Sequence, residues 1–466
     1  VPTSTTSTSP PATNAGESRP PAPWPTALAT ALICLLVAVV AATVAVGGTS
    51  GDPGRLPYWY AAGWLLFAAG VAVLRHVPRR TAVRLVAAGS LALALCGLAA
   101  APRTSTDMYR YAWDGSVQAA GISPYAYAPD APQLAAHRET WLFRPEPPGG
   151  CVHWKERLTT GDACTVINRP AVHTIYPPVA EGWFLAVHAL SPPGARHKPL
   201  QVGGALLAVA TTGALLLALR RRGAEPWRAA LWGWCPVVPV AAVNDAHVDT
   251  LGVLLTVLAF GAAGGLRGRG ALLGAAIAVK LLPGLALPGA LSRRTPREAV
   301  RIVGTAVVAV ALAYLPYVLA SGSGVLGYLP GYLHEEGYEP GSVRRFALLL
   351  LVLPDKAAGP VAAALIIATA AYMVRRGDPR RPWSGALVTT GTALLLTSPS
   401  YYWYALLVVA LVALDGRWEW LGVPLAGLAL YTGNEMGAHG TTLQAAAYGA
   451  AAAGVICGAW LRRRAR

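Results

Sequence analysis

Apolar runs separated by short basic links dominate the chain. Runs at 26–47, 57–74 and 82–101 each approach the ~20 residues that carry a helix across a bilayer, and they predict three spanning helices. They are rich in Ala, Leu, Val and Gly and show no two-residue alternation, so helices rather than a barrel are expected. Arg75, Arg79, Arg80 and Arg84 link the second run to the third, which places that link in the cytoplasm and the stretch from 102 outside. This external stretch extends to 198, too long for a simple connector. Within it, residues 174–190 (TIYPPVAEGWFLAVHAL) predict an interfacial helix opened by Pro177 and Pro178. Counting it as a span would move Arg220, Arg221, Arg222 and Arg228 to the wrong side.

Further spans are expected at 199–219, 229–243 and 250–266, with NDAHVD (244–249) outside. Segment 270–291 is flanked by arginines at both ends and interrupted by two Pro-Gly pairs, which predicts a broken hairpin of two half-helices. A span at 302–320 precedes a second external loop, 321–345. Spans at 357–374, 384–398, 402–414, 420–433 and 441–461 then complete 12–14 segments with both termini cytoplasmic. Residues 1–25, rich in Ser, Thr and Pro and without a cleavable signal pattern, are expected to be a disordered cytoplasmic tail. Residues 26–466 are expected to form one all-α polytopic membrane domain.

Composition agrees with this reading. A chain of 466 residues that is 54% hydrophobic and 13% charged, with a mean hydropathy of +0.45, is not a soluble globular domain. The net charge of +16 falls in the short links, as the positive-inside rule requires, and does not argue for nucleic acid. Four cysteines (Cys34, Cys96, Cys235, Cys457) lie in apolar runs. Cys151 and Cys164 share the external loop, where an oxidising compartment favours a disulfide between them.

Candidate chemistry concentrates at the external face. TDMYRYAWDGSVQAAGISPY (106–125) predicts a short helix with Asp107, Arg110, Tyr111 and Asp114 on one face, stopped by Gly121 and Pro124. Spacing alone leaves two readings open, an interfacial helix whose charges face water and a catalytic surface. Glu181 and His188 follow on the second interfacial helix, and Glu335, Glu336, Arg344 and Arg345 lie in the second loop. Lys280 stands between AAIAV and LLPGLALPG, where an ammonium either snorkels or meets an anion such as phosphate. Asp245, His247 and Asp249 of NDAHVD are a candidate divalent-metal set or a solvated turn with a helix cap. The aromatics of SPSYYWY (398–404) read as interfacial anchors.

Taken together, TDMYRYAWDGSVQAAGISPYAYAPD, INRPAVHTIYPPVAE, NDAHVD, AIAVKLLPGLALP and LGYLPGYLHEEGYEPGSVRRFALL resemble actinobacterial members of glycosyltransferase family 87. Those are polyprenol-phosphate-mannose-dependent mannosyltransferases of the GT-C fold. The resemblance runs from about residue 82 to 400. It implies that Asp107 is the general base and that Lys280 is directed at the lipid phosphate of the donor. The family's usual Asn-Pro-Tyr is Ser123-Pro124-Tyr125 here, so a role carried by that Asn does not transfer.

The chemistry fits these roles. Transfer from a polyprenyl phosphate needs a base for the acceptor hydroxyl and cations for the departing phosphate. Arg110, Arg344 and Arg345 are added as phosphate clamps, and Tyr111, Asp114, Tyr125, Tyr176, Glu335 and Glu336 as substrate contacts. The acceptor is expected to be a cell-envelope glycan or glycolipid at the extracytoplasmic face of the plasma membrane. An arabinofuranosyl or glucosyl transferase is the alternative within this chemistry, and a secondary transporter is the alternative from another class.

Overall fold

A computed structural model describes residues 24–46, 48, 52–151, 155–159, 163–262, 264–335, 345–438 and 440–464. Most of the expected tail, together with Glu336 and Arg344, lies outside the described residues. The first helices are α1 (Trp24–Val46), α2 (Leu56–Leu74), α3 (Arg79–Gly97) and α4 (Asp107–Ala119). Three short strands follow in the loop after α4, β1 (Phe143–Pro145), β2 (Arg157–Leu158) and β3 (Ala163–Thr165), before α5 (Pro178–Ala189) and α6 (Lys198–Arg221). The centre of the chain holds α7 (Ala230–Gly233), α8 (Asp249–Gly261), α9 (Leu266–Ile277), α10 (Leu287–Ala290), α11 (Pro296–Ser321) and α12 (Leu329–Glu335). It ends with α13 (Asp355–Arg376), α14 (Pro382–Thr397), α15 (Leu406–Asp415), α16 (Gly422–Glu435) and α17 (Thr441–Arg464).

Among the described residues, seven helical runs are long and apolar enough to cross a bilayer: α1, α2, α3, α6, α11 continued through α12, α13 and α17. The π-helical segment Val238–Asn244 and α8 are together apolar and long enough, but they meet at 113°, which is a broken span or a re-entrant loop. The runs read as spans at 384–398, 402–414 and 420–433 are α14, α15 and α16, with 16, 10 and 14 residues. Every residue of α15 is buried. A helix enclosed by protein needs no polar face, so its hydropathy matches that of a lipid-facing span although its length falls short of one. The expected hairpin at 270–291 keeps its first half as α9. Its second half is a 3-10 turn at Leu282–Ala286 and the single turn α10, because Pro283 and Pro288 remove backbone donors.

The loop between α4 and α5 is partly β. Its strands pair antiparallel in the order β1-β3-β2, with Arg144 opposite Cys164 and Leu158 opposite Cys164 on the other side. Cys164 of β3 is joined to Cys151 by a disulfide that closes 13 residues of sequence.

α4 starts at Asp107, after a turn at Thr106, and stops before Gly121, which adopts φ +78°. α5 starts with Pro178 in its first turn, where the missing N–H has no helical partner to lose. The two helices cross closely at Gly115, where a Cβ would run into the Phe184 carbonyl. Tyr111 stacks on Phe184 at 4.4 Å between ring centroids and meets Tyr176 edge-on at 5.0 Å. On another side, Trp113 and Val117 pack with Leu134, Leu142, Phe143 and Ile167, which seats the external loop on the helix. Burial of apolar side chains of this size stabilises by about 2 kcal/mol each.

α4 is therefore not an interfacial helix with its charges in water. Arg110 and Asp114 are 3% and 1% exposed, and they pair at 2.9 Å from Arg110 Nε to Asp114 Oδ1. Arg110 Nη1 donates to the Val172 carbonyl at 3.1 Å. Glu181 of α5 is buried beside the pair, accepting from Thr174 Oγ1 at 2.8 Å and from Gln118 Nε2 at 2.9 Å. Burial, with Asp114 alongside, pushes the Glu181 carboxyl well above its ordinary range, and burial also raises Asp114 despite Arg110. One guanidinium thus faces two carboxyls, and burial pushes both of them up, Glu181 further than Asp114.

Two predictions follow from this packing. Arg110→Met leaves Asp114 buried without its cation and lowers stability by about 3–5 kcal/mol, whereas Glu181→Gln keeps the shape and an acceptor for Thr174 and costs ~1 kcal/mol. Thermal unfolding of the purified protein in detergent compares the two, and equal damage from both would contradict the pairing of Arg110 with Asp114 as the dominant contact. Removing the disulfide with Cys151→Ser and Cys164→Ser costs about 3 kcal/mol of loop order. The loop is then nicked faster in limited proteolysis, and free thiols at both positions in the unreduced wild type would reject the bond.

Candidate active site

The link between α3 and α4 is held by a single turn of the π-helical segment. Asp245 Oδ1 accepts the backbone N–H groups of Arg103, Thr104 and Ser105 at 3.2, 3.1 and 3.2 Å, and the Thr104 hydroxyl donates to Oδ2. Asn244 adds a second grip. Its Oδ1 accepts from Arg103 N at 3.0 Å, and its Nδ2 donates to the carbonyls of Gly97, Ala100 and Ala101 at 3.1, 3.1 and 3.2 Å. Tyr402 and Tyr431 also hydrogen-bond to Thr104, at its hydroxyl and its carbonyl. Asp107 follows three residues later and opens α4 into a cavity of about 1160 Å³.

Asp107 is the acid at the centre of this cavity wall. Its Oδ1 accepts from Asn168 Nδ2 at 2.5 Å, and its Oδ2 lies 3.5 Å from His247 Nδ1. Burial lifts its carboxyl above the ordinary value, and the charges of Lys280 and Arg169 act in the opposite sense. Lys280 donates to both Asp249 oxygens at 2.8 Å, with its Nζ 4.5 Å above the Tyr404 ring. Arg169 pairs with Glu335 and lies 5.4 Å over the Tyr332 ring. The Tyr332 and Tyr404 hydroxyls hydrogen-bond to each other. Asp107 is thus influenced by two cations, each resting on a tyrosine of the same hydrogen-bonded pair.

The remaining walls differ in character. Leu281, Leu282, Leu285, Leu326, Leu329 and Leu333 give the lining an apolar part, the first two directly following Lys280 in the chain, and Lys155, Arg157 and Glu435 add charge. Lys155 pairs with Glu435 at 2.9 Å, which ties the disulfide-closed hairpin to α16. The segment between α11 and α12 closes on the segment before α5 at Gly327 (φ +53°), where a Cβ would run into the Thr174 carbonyl. Arg169 and Ala246 hold left-handed backbone at φ 49° and 51°, an unfavourable conformation for residues with a Cβ.

Several expected site residues take other places. Tyr176 lines the cavity, but Tyr111 and Asp114 are buried between α4 and α5, and Tyr125 donates its hydroxyl to the Tyr176 carbonyl at 2.6 Å. Arg110 lines the cavity with its Nε on Asp114, its Nη1 on the Val172 carbonyl and its Nη2 without a partner among the described residues. Arg345 is buried and is not among the lining residues. Glu335 lines the cavity as the partner of Arg169 and Tyr328.

The metal set of NDAHVD does not assemble. Asp245 faces the 103–105 backbone, Asp249 faces Lys280, and His247 faces Asp107, because the turn sends the three side chains in different directions. No group of three His, Cys, Asp or Glu among the described residues is placed to hold a metal ion. The SPSYYWY aromatics are not interfacial anchors either. Tyr402 and Trp403 are buried, and Trp403 stacks on His247 at 4.2 Å. Asn168, Arg169, Arg157 and Lys155 went unassigned in the sequence, although INRPAVH was among the stretches carrying the resemblance. The signal available was a polar pair, Asn168-Arg169, before a proline in an external loop.

No curated protein and no solved structure matches the chain. Residues 174–399, which carry α5 to α14 and supply His247, Asp249, Lys280 and Tyr332, match the model of glycosyltransferase family 87. That match, with the apolar helices, indicates a multi-pass membrane glycosyltransferase.

Proposed function

We propose that the protein transfers a mannosyl residue from polyprenyl-phosphate mannose to a cell-envelope glycan or glycolipid at the extracytoplasmic face of the plasma membrane, with Asp107 as general base. The observation that carries this reading is the placement of Asp107. It is a half-buried carboxylate on the wall of a large cavity, with two cations acting on it and an apolar flank nearby. In the proposed reaction the acceptor hydroxyl oxygen attacks the anomeric carbon as its proton passes to Asp107. The bond from that carbon to the phosphate oxygen breaks, and the electron pair leaves with the polyprenyl phosphate. One displacement of this kind inverts the anomeric centre, so a β-linked donor gives an α-linked product.

The other residues fit this assignment. Burial raises the basicity of Asp107 towards the working pH, which favours proton transfer. Lys280 stands where the polar centre meets the leucine flank, and that is where a phosphate carrying an isoprenoid chain would sit. The Lys280–Asp249 pair lowers the cost of keeping an ammonium at this depth when the cavity is empty.

Asp107→Asn is expected to cut transfer from polyprenyl-phosphate mannose by at least about 10²-fold while leaving the protein folded. Wild-type activity in that variant would end the assignment of Asp107. The kcat/KM profile of the wild type should fall on the acid side with an apparent pKa above the usual carboxylate value of about 4, because the base works only when ionised. Lys280→Ala should raise the KM for the lipid-linked donor more than it lowers kcat. Incubating membranes with labelled lipid-linked sugars and an acceptor panel tests the donor, and preference for arabinofuranose or glucose would replace mannose in this reading.

A further inference from the structure

We infer that Asn168 and His247 are positioning residues that hold the two oxygens of the Asp107 carboxylate and fix the face it turns to the cavity. The inference rests on Asp107 being the base. Asn168 Nδ2 donates to Oδ1 at 2.5 Å, and His247 Nδ1 faces Oδ2 at 3.5 Å. The two come from different parts of the chain, the external loop and the NDAHVD turn, and they approach the carboxylate at separate oxygens.

His247 is built for a fixed orientation. Its side chain is 0% exposed, its ring lies on Trp403 at 4.2 Å with planes 18° apart, and both ring nitrogens are buried without a hydrogen-bond partner. A buried imidazole without partners is costly, and Asp107 Oδ2 is the acceptor that Nδ1 faces. At 3.5 Å the two atoms need a shift of only a few tenths of an ångström to reach hydrogen-bond distance. Donation from Nδ1–H requires the tautomer protonated at that nitrogen. Trp403 holds the ring plane, so rotation of the imidazole away from Asp107 would break the stack.

The role is orientation and not proton transfer to the sugar, since His247 is not among the residues that line the cavity. A carboxylate has about four lone-pair directions. Asn168 already occupies one direction on Oδ1, and donation from His247 Nδ1–H to Oδ2 would block rotation about the Cβ–Cγ bond and leave a remaining lone pair for the acceptor hydroxyl. The charged groups acting on this carboxylate are Lys280, Arg169 and Asp249, and Lys280 also acts on His247. A donor to the carboxylate favours its ionised form, in the same sense as Lys280 and Arg169.

The test compares His247→Phe, Asn168→Ala and Asp107→Asn with wild type, using whichever lipid-linked sugar of the panel the wild type turns over. His247→Phe keeps the stack on Trp403 and removes the donor. His247→Phe and Asn168→Ala are each expected to lower kcat by about 10²-fold with donor KM unchanged. Each should also move the acid limb of the kcat/KM profile up by about one unit. His247→Gln, which restores a donor, should recover part of the kcat. Full kcat with an unmoved acid limb in His247→Phe would show that the aromatic stack alone matters and would overturn the inference. A loss confined to KM would do the same. If His247→Phe fails to fold, Asn168→Ala decides by the same two readouts. An active Asp107→Asn would bring down the base itself, whereas an inactive Asp107→Asn beside an indifferent His247→Phe and Asn168→Ala would bring down only the positioning roles.

Discussion

A fully buried carboxylate must be given hydrogen bonds, and Asp245 obtains them from the backbone of residues 103–105. This constraint sets the geometry of everything external to α3. Shifting the α3–α4 link by one residue would strip Asp245 of its donors at a cost of several kcal/mol, so the start of α4 has one register. Asp107 is therefore located by a residue that never meets the cavity. The turn that carries Asp245 also carries His247 and Asp249, one facing Asp107 and the other facing Lys280. A reversal at Ala246, with φ at 51°, lets neighbouring side chains of that turn face three different partners.

Charge compensation follows a related logic. The cavity is lined by Arg110, Lys155, Arg157, Arg169 and Lys280, but Arg110 and Lys280 have carboxylate partners, Asp114 and Asp249, that do not line it. The positive side of each pair faces inward and the negative side is recessed. Such pairs limit the penalty of carrying charge in a low-dielectric site while leaving an inward field suited to an anion. Asp107 also faces the cavity, and unlike Glu335 and Glu435, which pair there with Arg169 and Lys155, it forms no ion pair with a lysine or arginine among the described residues. Burial weakens its acidity and the charges of Lys280 and Arg169 act in the opposite sense.

Periodicity and the positive-inside rule made the helical membrane architecture legible, together with α4, α5 and the first half of the broken hairpin, because hydropathy records which segments avoid water. It does not record whether lipid or protein replaces the water. That is why α15, enclosed on every side, reads as a span, and why SPSYYWY reads as a membrane belt when Tyr402 and Trp403 are interior. Asp107 and Lys280 stood out because ionisable groups beside apolar runs are rare. Their partners did not, since Asn168 and Asp107 are 61 positions apart and Lys280 and Asp249 are 31 apart, and only the fold brings them together. The metal reading of NDAHVD failed for a local reason, because sequence proximity of three donors says nothing of the turn that separates their directions.

The Lys280–Asp249 pair also limits what Lys280 can do under the proposed reaction. An ammonium has three N–H donors, and two already point to Asp249 at 2.8 Å. With the Tyr404 ring beneath it, one donor remains for a ligand unless Asp249 is displaced. A single charge-assisted contact orients a phosphate poorly, since a lysine presents a point charge and not a fork. Stabilising the leaving phosphate as charge develops would then fall to more than one cation. Arg169 is the second cation whose charge reaches Asp107, from the far side of the Tyr332–Tyr404 contact. The two tyrosines hold both cations in one register, so the positions of the lysine and the arginine relative to the base are coupled through a single hydroxyl–hydroxyl bond.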